Sequence, residues 1–269
     1  MPANTKTISI TSGKGGVGKS TITANLALCL ALKGKRVLIL DGDLGMANID
    51  IIFGVKSEKN LSHLLSGTAE IKDLVIPVMP NIFLLSGGSG LVELNRLSSL
   101  QRQGILSAVS DLEYQYDYLL IDTAPGISDN VLYFNAAAQV ATVVITPDPT
   151  SLADSYALIK MLNKEYKETH FAIICNQVRD ESEGMLLFQR FSDVVSKFLY
   201  IGLDYAGSLP TDPLIRKSIQ NQRLIMKHEP QSLAAEGFRK IERKLGESLQ
   251  ESKCKSGLQF FWGQVVGVA

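Results

Sequence analysis

The stretch "TSGKGGVGKST", residues 11–21, decides the fold. Gly13, Gly18, Lys19 and Ser20 satisfy the pattern G-x-x-x-x-G-K-[ST], the spacing of a loop that wraps phosphate groups. Glycines let the backbone curl so that its N–H groups point inward at phosphate oxygens. A helix starting at Lys19 adds the partial positive charge of its N-terminus. The Lys19 ammonium neutralises the outer phosphates, and the Ser20 hydroxyl is placed to ligate magnesium. Such a loop works between a strand and a helix, and both are legible. "TISIT" (residues 7–11) is a short β-branched run, and "STITANLALCLALKG" (residues 20–34) is a helix with Gly34 as its stop. Lys14 is a second lysine inside the loop, and cradling phosphate within one chain does not call for it.

The same alternation continues outward. "RVLILD" (36–41), "IFLLS" (82–86), "YLLID" (118–122), "TVVITP" (142–147) and "FAIICN" (171–176) are apolar almost throughout. That pattern suits strands buried on both faces of a parallel sheet. Helical patterns fit residues 94–112, 151–166, 185–198, 212–221 and 232–249. Together they predict one doubly wound, mainly parallel α/β domain over residues 1–250, with helices on both faces. Its ligand should lie beyond the carboxyl ends of the strands. Residues 251–269 read separately, as a polar linker and a C-terminal amphipathic helix.

The composition bounds the partners. The 269 residues hold 27 Lys plus Arg and 27 Asp plus Glu, so no net charge draws the chain to nucleic acid, which is not an expected partner. Cys29, Cys175 and Cys254 form no CxxC, which argues against a disulfide framework, a zinc site or an iron–sulfur carrier. No secretory signal is expected from the first residues, and no apolar run is long enough to span a bilayer. A reducing, cytoplasmic compartment is expected.

Two acidic segments follow strands. In "LDGDLGMANID" (40–50), Asp41 and Asp43 are costly near phosphate unless magnesium or water mediates. In "YDYLLIDTAPGISDN" (116–130), Asp122 ends an apolar strand and offers its carboxylate to magnesium or its waters. The turn at Pro125–Gly126 could present a backbone N–H to a terminal phosphate.

The form "KGGVGKST" resembles the deviant Walker A motif of the ParA/MinD family of ATPases. The resemblance runs from Lys6 to about Leu249 and implies ATP and Mg2+ as ligands. It implies a phosphate cradle of Gly13, Lys14, Gly15, Gly16, Val17, Gly18, Lys19, Ser20 and Thr21. It implies that Lys14 reaches the nucleotide of a second subunit, so that ATP makes a homodimer. Asp43 is then the residue that positions the attacking water, with Lys14 and Lys19 on the transferring phosphate. Asp41, Ser20 and Asp122 serve the metal, and Gly126 senses the terminal phosphate. Asn176, Pro210 and Asp212 fall where the family holds adenine.

Longer strings, "GDLGMANID", "LLSGGSGLVEL", "APGISDNVL" and "TPDPTSLADSYALIK", resemble the members of the FlhG/FleN type, which regulate flagellar number and placement. The resemblance implies slow ATP hydrolysis and cycling between cytosol and the inner face of the cell membrane. It also implies partners such as a signal-recognition-type GTPase, flagellar switch components or a transcriptional activator. A MinD-like cell-division-site regulator and a ParA-like partitioning ATPase are the alternatives. Many flagellar members stimulate the GTPase through a DQAxxLR-type segment. The residues ahead of the first strand hold none, so activation by that route is not expected of them.

At helical spacing Leu258, Phe261, Trp262, Val265 and Val266 share one face, with Lys253 and Lys255 just before and Phe260 off the stripe. Trp262 is the only tryptophan, a residue that favours membrane interfaces. Relatives end in a membrane-targeting helix, and the tail resembles one. Each buried apolar side chain contributes roughly 1.5–3 kcal/mol, and each lysine about 1 kcal/mol on an anionic surface. One tail therefore binds weakly and two bind far better. The same stripe also fits a helix docked on its own domain. The two readings agree if the tail docks without ATP and leaves with it.

Overall fold

The computed structural model describes residues 5–43, 48–86, 107–109, 112, 115–251 and 257–266. Eight strands form one sheet: β1 (Lys6–Thr11), β2 (Val37–Gly42), β3 (Val75–Met79), β4 (Ile82–Ser86), β5 (Tyr118–Thr123), β6 (Val140–Ile145), β7 (His170–Val178) and β8 (Gly202–Pro210). Their order is β3-β4-β2-β5-β1-β6-β7-β8, parallel except for the antiparallel β3–β4 pair. β2, β5 and β6 are buried at every position, as their unbroken apolar runs require.

Side chains alternate across the sheet and feed two sets of helices. Val37 and Ile39 pack in one cluster with α1 (Lys19–Leu32), α9 (Ile225–His228) and α10 (Leu233–Glu251). Leu38, Leu40, Leu119 and Ile121 face the other way, toward α5 (Asp129–Ala137). Further along that face, α6 (Pro149–Tyr166) and α7 (Glu181–Ser196) cover β6 and β7. Short helices α2 (Ile49–Phe53), α3 (Leu61–Leu65) and α4 (Ile71–Leu74) lie between β2 and β3, and α8 (Pro213–Gln220) follows β8.

The doubly wound α/β architecture is therefore the one expected, and six strands lie where their apolar runs placed them. Two edge strands and five helices are additions, four of the helices being the short α2, α3, α4 and α9 and the fifth α5. β3 carries Pro77 and is only half buried, as an edge allows. β8, "GLDYAGSLP", has no continuous apolar run, because one edge of it is unpaired. α5 is nine residues long and follows the glycine turn without a break in polarity. The expected helix over 94–112 lies mostly outside the described residues.

The tail forms α11 (Leu258–Val265) and packs on the protein itself. Leu258, Phe261, Trp262, Val265 and Val266 are all buried, in one cluster with Phe134, Ala137 and Ala138 of the α5 segment. Phe261 stacks on Phe134 with ring centroids 6.1 Å apart and planes 13° from parallel. The Gly257 N–H donates to the Thr5 carbonyl at 3.1 Å, tying the start of the tail to the foot of β1. The apolar stripe thus has an occupant in this state, and that occupant is the domain.

Candidate functional site

The site lies at the carboxyl ends of β1, β2 and β5, which are neighbours in the sheet. β1 runs straight into the glycine loop. Gly16 and Gly18 adopt left-handed backbone, φ 77° and 95°, which only glycine enters cheaply. A side chain at Gly13 would strike the backbone of α6, its Cβ falling 2.1 Å from the Asp154 carbonyl carbon. Gly16 faces open space. Gly18 is the N-cap of α1, so the free N–H groups of that helix point at the loop. Gly15 and Val17 complete the curl between Lys14 and α1, and Thr21 lies in the first turn of α1.

Lys19 is 7% exposed, and its Nζ donates to Ser12 Oγ at 2.9 Å. Burial holds its pKa below the ordinary value, against the opposing pull of Asp122 and Asp43. Asp41 and Asp122 are Cα partners across β2 and β5, both buried. Burial raises Asp122 to about 7, with Asp41 adding to the rise and the Ser20 hydroxyl, Lys19 and Thr23 opposing it. Asp41 rises to about 6 for the same leading cause, although it accepts the Asp43 and Ile49 N–H groups at 3.2 and 3.3 Å. Ser20 is therefore beside Asp122, and the donor set is a hydroxyl and two carboxylates, which suits Mg2+. Among the described residues no group of three or more His, Cys, Asp or Glu could hold a metal, so these oxygens fit an ion that also draws on phosphate and water. Cys29 and Cys175 lie in different core clusters with thiols pushed up to about 12 by burial, far from thiolate ligands.

Lys14 points away from the cradle of its own chain. Its Nζ donates to Asp148 Oδ2 at 2.5 Å and Thr150 Oγ1 at 2.7 Å. Asp148 is the N-cap of α6, and its other oxygen accepts from the Thr150 N–H and hydroxyl, both at 2.8 Å. The Lys14 hydrogen bond, then those from Thr150, hold the Asp148 carboxyl well below the usual range. Gly126, φ 96°, donates its N–H to the Ser12 carbonyl at 3.0 Å. In this arrangement the turn rests on the loop's root, and reaching a phosphate requires that bond to be exchanged.

A cavity of about 300 Å3 opens beside the loop, with Gly18, Thr21, Asn176, Pro210, Asp212 and Phe238 on its walls. Asn176 donates to the Val17 carbonyl at 2.7 Å, so one adenine candidate is tied to the phosphate loop itself. Asp212 spends an oxygen capping α8, accepting from the Leu214 N–H at 2.8 Å. Leu209, Ile215 and Phe238 give the cavity the apolar faces that a flat base requires. All the expected site residues except those of the tail gather around these two adjoining features. Residues 44–47, next to Asp43, lie outside the described part.

Sequence reasoning missed four contributors. Asp148 and Thr150 flank Pro149 in an Asp-Pro helix start, a local signal that carries no information about Lys14 as their partner. Gln177, at φ 58°, reaches the Gly16 carbonyl at 3.3 Å, and no local pattern announced it. Asn135 of α5 accepts from Ser9 Oγ at 2.7 Å and donates to Thr11 Oγ1 at 3.2 Å, inside the sheet end.

Comparisons with known proteins bear on the family and the fold. The ParA family model, described as "NUBPL iron-transfer P-loop NTPase", matches residues 4–246. The chain is 36% identical over 259 residues to the antiactivator FleN of Pseudomonas aeruginosa, covering 96% of this chain and 92% of that protein. It is 34% identical to the flagellum site-determining protein YlxH of Helicobacter pylori, covering 98% and 90%. Among solved structures it is similar to the septum site-determining protein MinD of Pyrococcus horikoshii complexed with Mg-ADP, at 27% identity and TM-score 0.70, over 93% of this chain and 99% of that one.

The raised acids make a pH prediction for the protein in EDTA. The fold holds the Asp41 and Asp122 protons more tightly than the unfolded chain does. The resulting stabilisation is full below the ordinary value of 3.8 and is lost as pH rises through about 6 and about 7. The thermal midpoint of the metal-free protein should therefore fall between pH 6 and pH 8. Asp122→Asn should raise it at pH 8, by about 2–4 °C per kcal/mol for a chain of this size. Differential scanning fluorimetry checks this, and a less stable variant at pH 8 in EDTA would contradict it.

Proposed function

Because the chain belongs to the ParA family of P-loop NTPases, we propose that it is an ATP-dependent dimerising switch that hydrolyses ATP slowly, cycles between cytosol and membrane, and regulates flagellar number or placement. The observation that carries this reading is Lys14. It lies in the phosphate loop, is part-exposed, and is held on the outside by Asp148 and Thr150 rather than by its own cradle. A lysine so placed can leave that pair for the phosphates of a facing subunit. The similarity to FleN and YlxH, by their printed names, supports the flagellar role.

The residues divide the work. The glycine-loop N–H groups and Lys19 bind and orient the phosphates. Ser20 and Asp122 would hold Mg2+, with Asp41 behind them, and the ion would supply charge neutralisation at the phosphates. Asp43 orients the attacking water. Lys14 adds a positive charge in trans, as an arginine finger does. Asn176, Pro210 and Asp212 hold the base. The docked tail is the resting state, and the ATP dimer presents two tails to the bilayer, raising avidity roughly 100- to 10,000-fold over one. Among the described residues no helix is long and apolar enough to cross a membrane; in this scheme the tail makes the attachment. A flagellar switch component, a transcriptional activator or a signal-recognition-type GTPase would read the dimer.

Three variants test the scheme. Lys14→Ala should lose ATP-dependent dimerisation in light scattering while binding ADP within about twofold of wild type. Asp43→Ala should bind ATP and dimerise but turn over at least about 100-fold slower, the scale of a lost positioned base. Removing residues 257–269 should abolish co-pelleting with anionic liposomes in ATP and leave nucleotide binding intact. Equal pelleting with ADP and ATP, or pelleting that survives the truncation, would remove the membrane cycle from the scheme.

A further inference from the structure

Phe134 touches both ends of the proposed switch. Its ring borders the space that a side chain at Gly42 would occupy: a Cβ there would lie 2.9 Å from the Asp122 carbonyl oxygen and 3.1 and 3.3 Å from Phe134 Cε2 and Cδ2. Gly42 is the last residue of β2, one step before Asp43. The same ring stacks on Phe261 of the tail. Phe134 is 1% exposed, and it sits on the helix that directly follows the Gly126 turn, capped at Ser128. One aromatic ring thus separates the carboxyl end of β2 from the docked tail.

The next residue fixes the helix beneath that ring. Asn135 bonds Ser9 and Thr11 at the root of the phosphate loop and closes on the Val131 carbonyl at 2.7 Å. Thr11 Oγ1 accepts in turn from Thr123 Oγ1 at 2.9 Å, at the end of β5. All of these groups are buried. α5 is therefore pinned on its sheet side while Phe134 stands between a strand end and the tail. Interiors are close-packed, so a shift of a few tenths of an ångström at Gly42 has no void in which to disappear. It must move the ring, and the ring bears on Phe261.

From this we infer that Phe134 is a positioning residue that passes the state of the Gly42–Asp43 strand end to the tail. The inference rests on the tail-release reading above and names the contact by which release is driven. Phe134 does not touch nucleotide. Its role is to keep the tail docked when the strand end is relaxed and to push Phe261 off its stack when bound ATP shifts Gly42 and Asp43.

The test uses Trp262, the only tryptophan and 1% exposed, in the full-length protein without lipid. Acrylamide quenching is measured with ADP and with a non-hydrolysable ATP analogue standing in for ATP, Asp43 being left intact. With Phe134 intact, ATP should raise the quenching constant severalfold. Phe134→Leu keeps an apolar filling but leaves slack, so Trp262 should stay shielded with either nucleotide while ATP-dependent dimerisation stays within about twofold. Leu258→Ala, which thins the tail's own packing away from Gly42, should raise quenching in both states and keep the difference between them. If Phe134→Leu does not fold, Phe261→Leu carries the same expectation from the other side of the stack. A Phe134→Leu or Phe261→Leu protein that keeps the full nucleotide-dependent difference, or that exposes Trp262 with both nucleotides, would overturn the relay. If the protein with Phe134 intact shows no difference between ADP and ATP, the tail-release reading itself fails, and the relay falls with it.

Discussion

Asp41 and Asp122 stand opposite each other at the ends of adjacent parallel strands, buried, with Lys19 buried beside them. Charged groups taken out of water are costly unless their partners are well placed. Two like charges at neighbouring strand positions add to that cost. The fold meets it only in part, with the Ser20 and Thr23 hydroxyls on Asp122 and two backbone N–H groups on Asp41. Both carboxyls are consequently pushed toward neutrality, and the Lys19 ammonium away from its charged form. In the proposed function, phosphate and a divalent cation would bring the counter-charges. The strand order, the loop's glycines and the burial of β1, β2 and β5 all converge on holding this unfinished arrangement in place.

Everything that would respond to the ligand is tied to that arrangement by one contact. Gly126 rests its N–H on Ser12, and Ser12 also receives Lys19. Lys14 is held by the cap of α6, whose backbone packs directly on Gly13. α5 is bonded to β1 through Asn135 and presents Phe134 to the tail. These are short-range bonds and packed contacts, and the proposed switch requires them to be exchanged for others. Such elements move between two arrangements rather than deforming smoothly. The ion pair between Lys14 and Asp148 is half exposed, which keeps it weak enough to exchange.

The sequence made some of this plain and left some hidden, for physical reasons. Residues 13–20 are legible because a phosphate cradle needs particular backbone torsions, and only glycine at set positions supplies them. Strands buried on both faces declare themselves by apolar runs, and so β2, β5 and β6 were readable, as was the position of Asp122 at a strand end. β3 and β8 were not, since an edge strand can carry Pro77, Asp204 and Gly207. The contacts of Lys14 with Asp148 and of Phe134 with Gly42 span 134 and 92 residues of sequence, and no local pattern encodes such separations. The tail is the instructive case. Leu258, Phe261, Trp262, Val265 and Val266 form the stripe that a bilayer would accept and that a groove would accept equally. Only the packing against α5 shows which surface holds it in this state.

The central claim is that nucleotide state and tail docking form one equilibrium. Hydrogen–deuterium exchange on the full-length protein without lipid, in magnesium with ADP or with ATP, measures it most directly. The account predicts that amides of Leu258–Val265 are protected with ADP and lose most of that protection with ATP, while β5 and α1 gain it. Protection of Leu258–Val265 that is the same with both nucleotides, under conditions where β5 and α1 do respond, would contradict the account and leave the tail a fixed part of the fold.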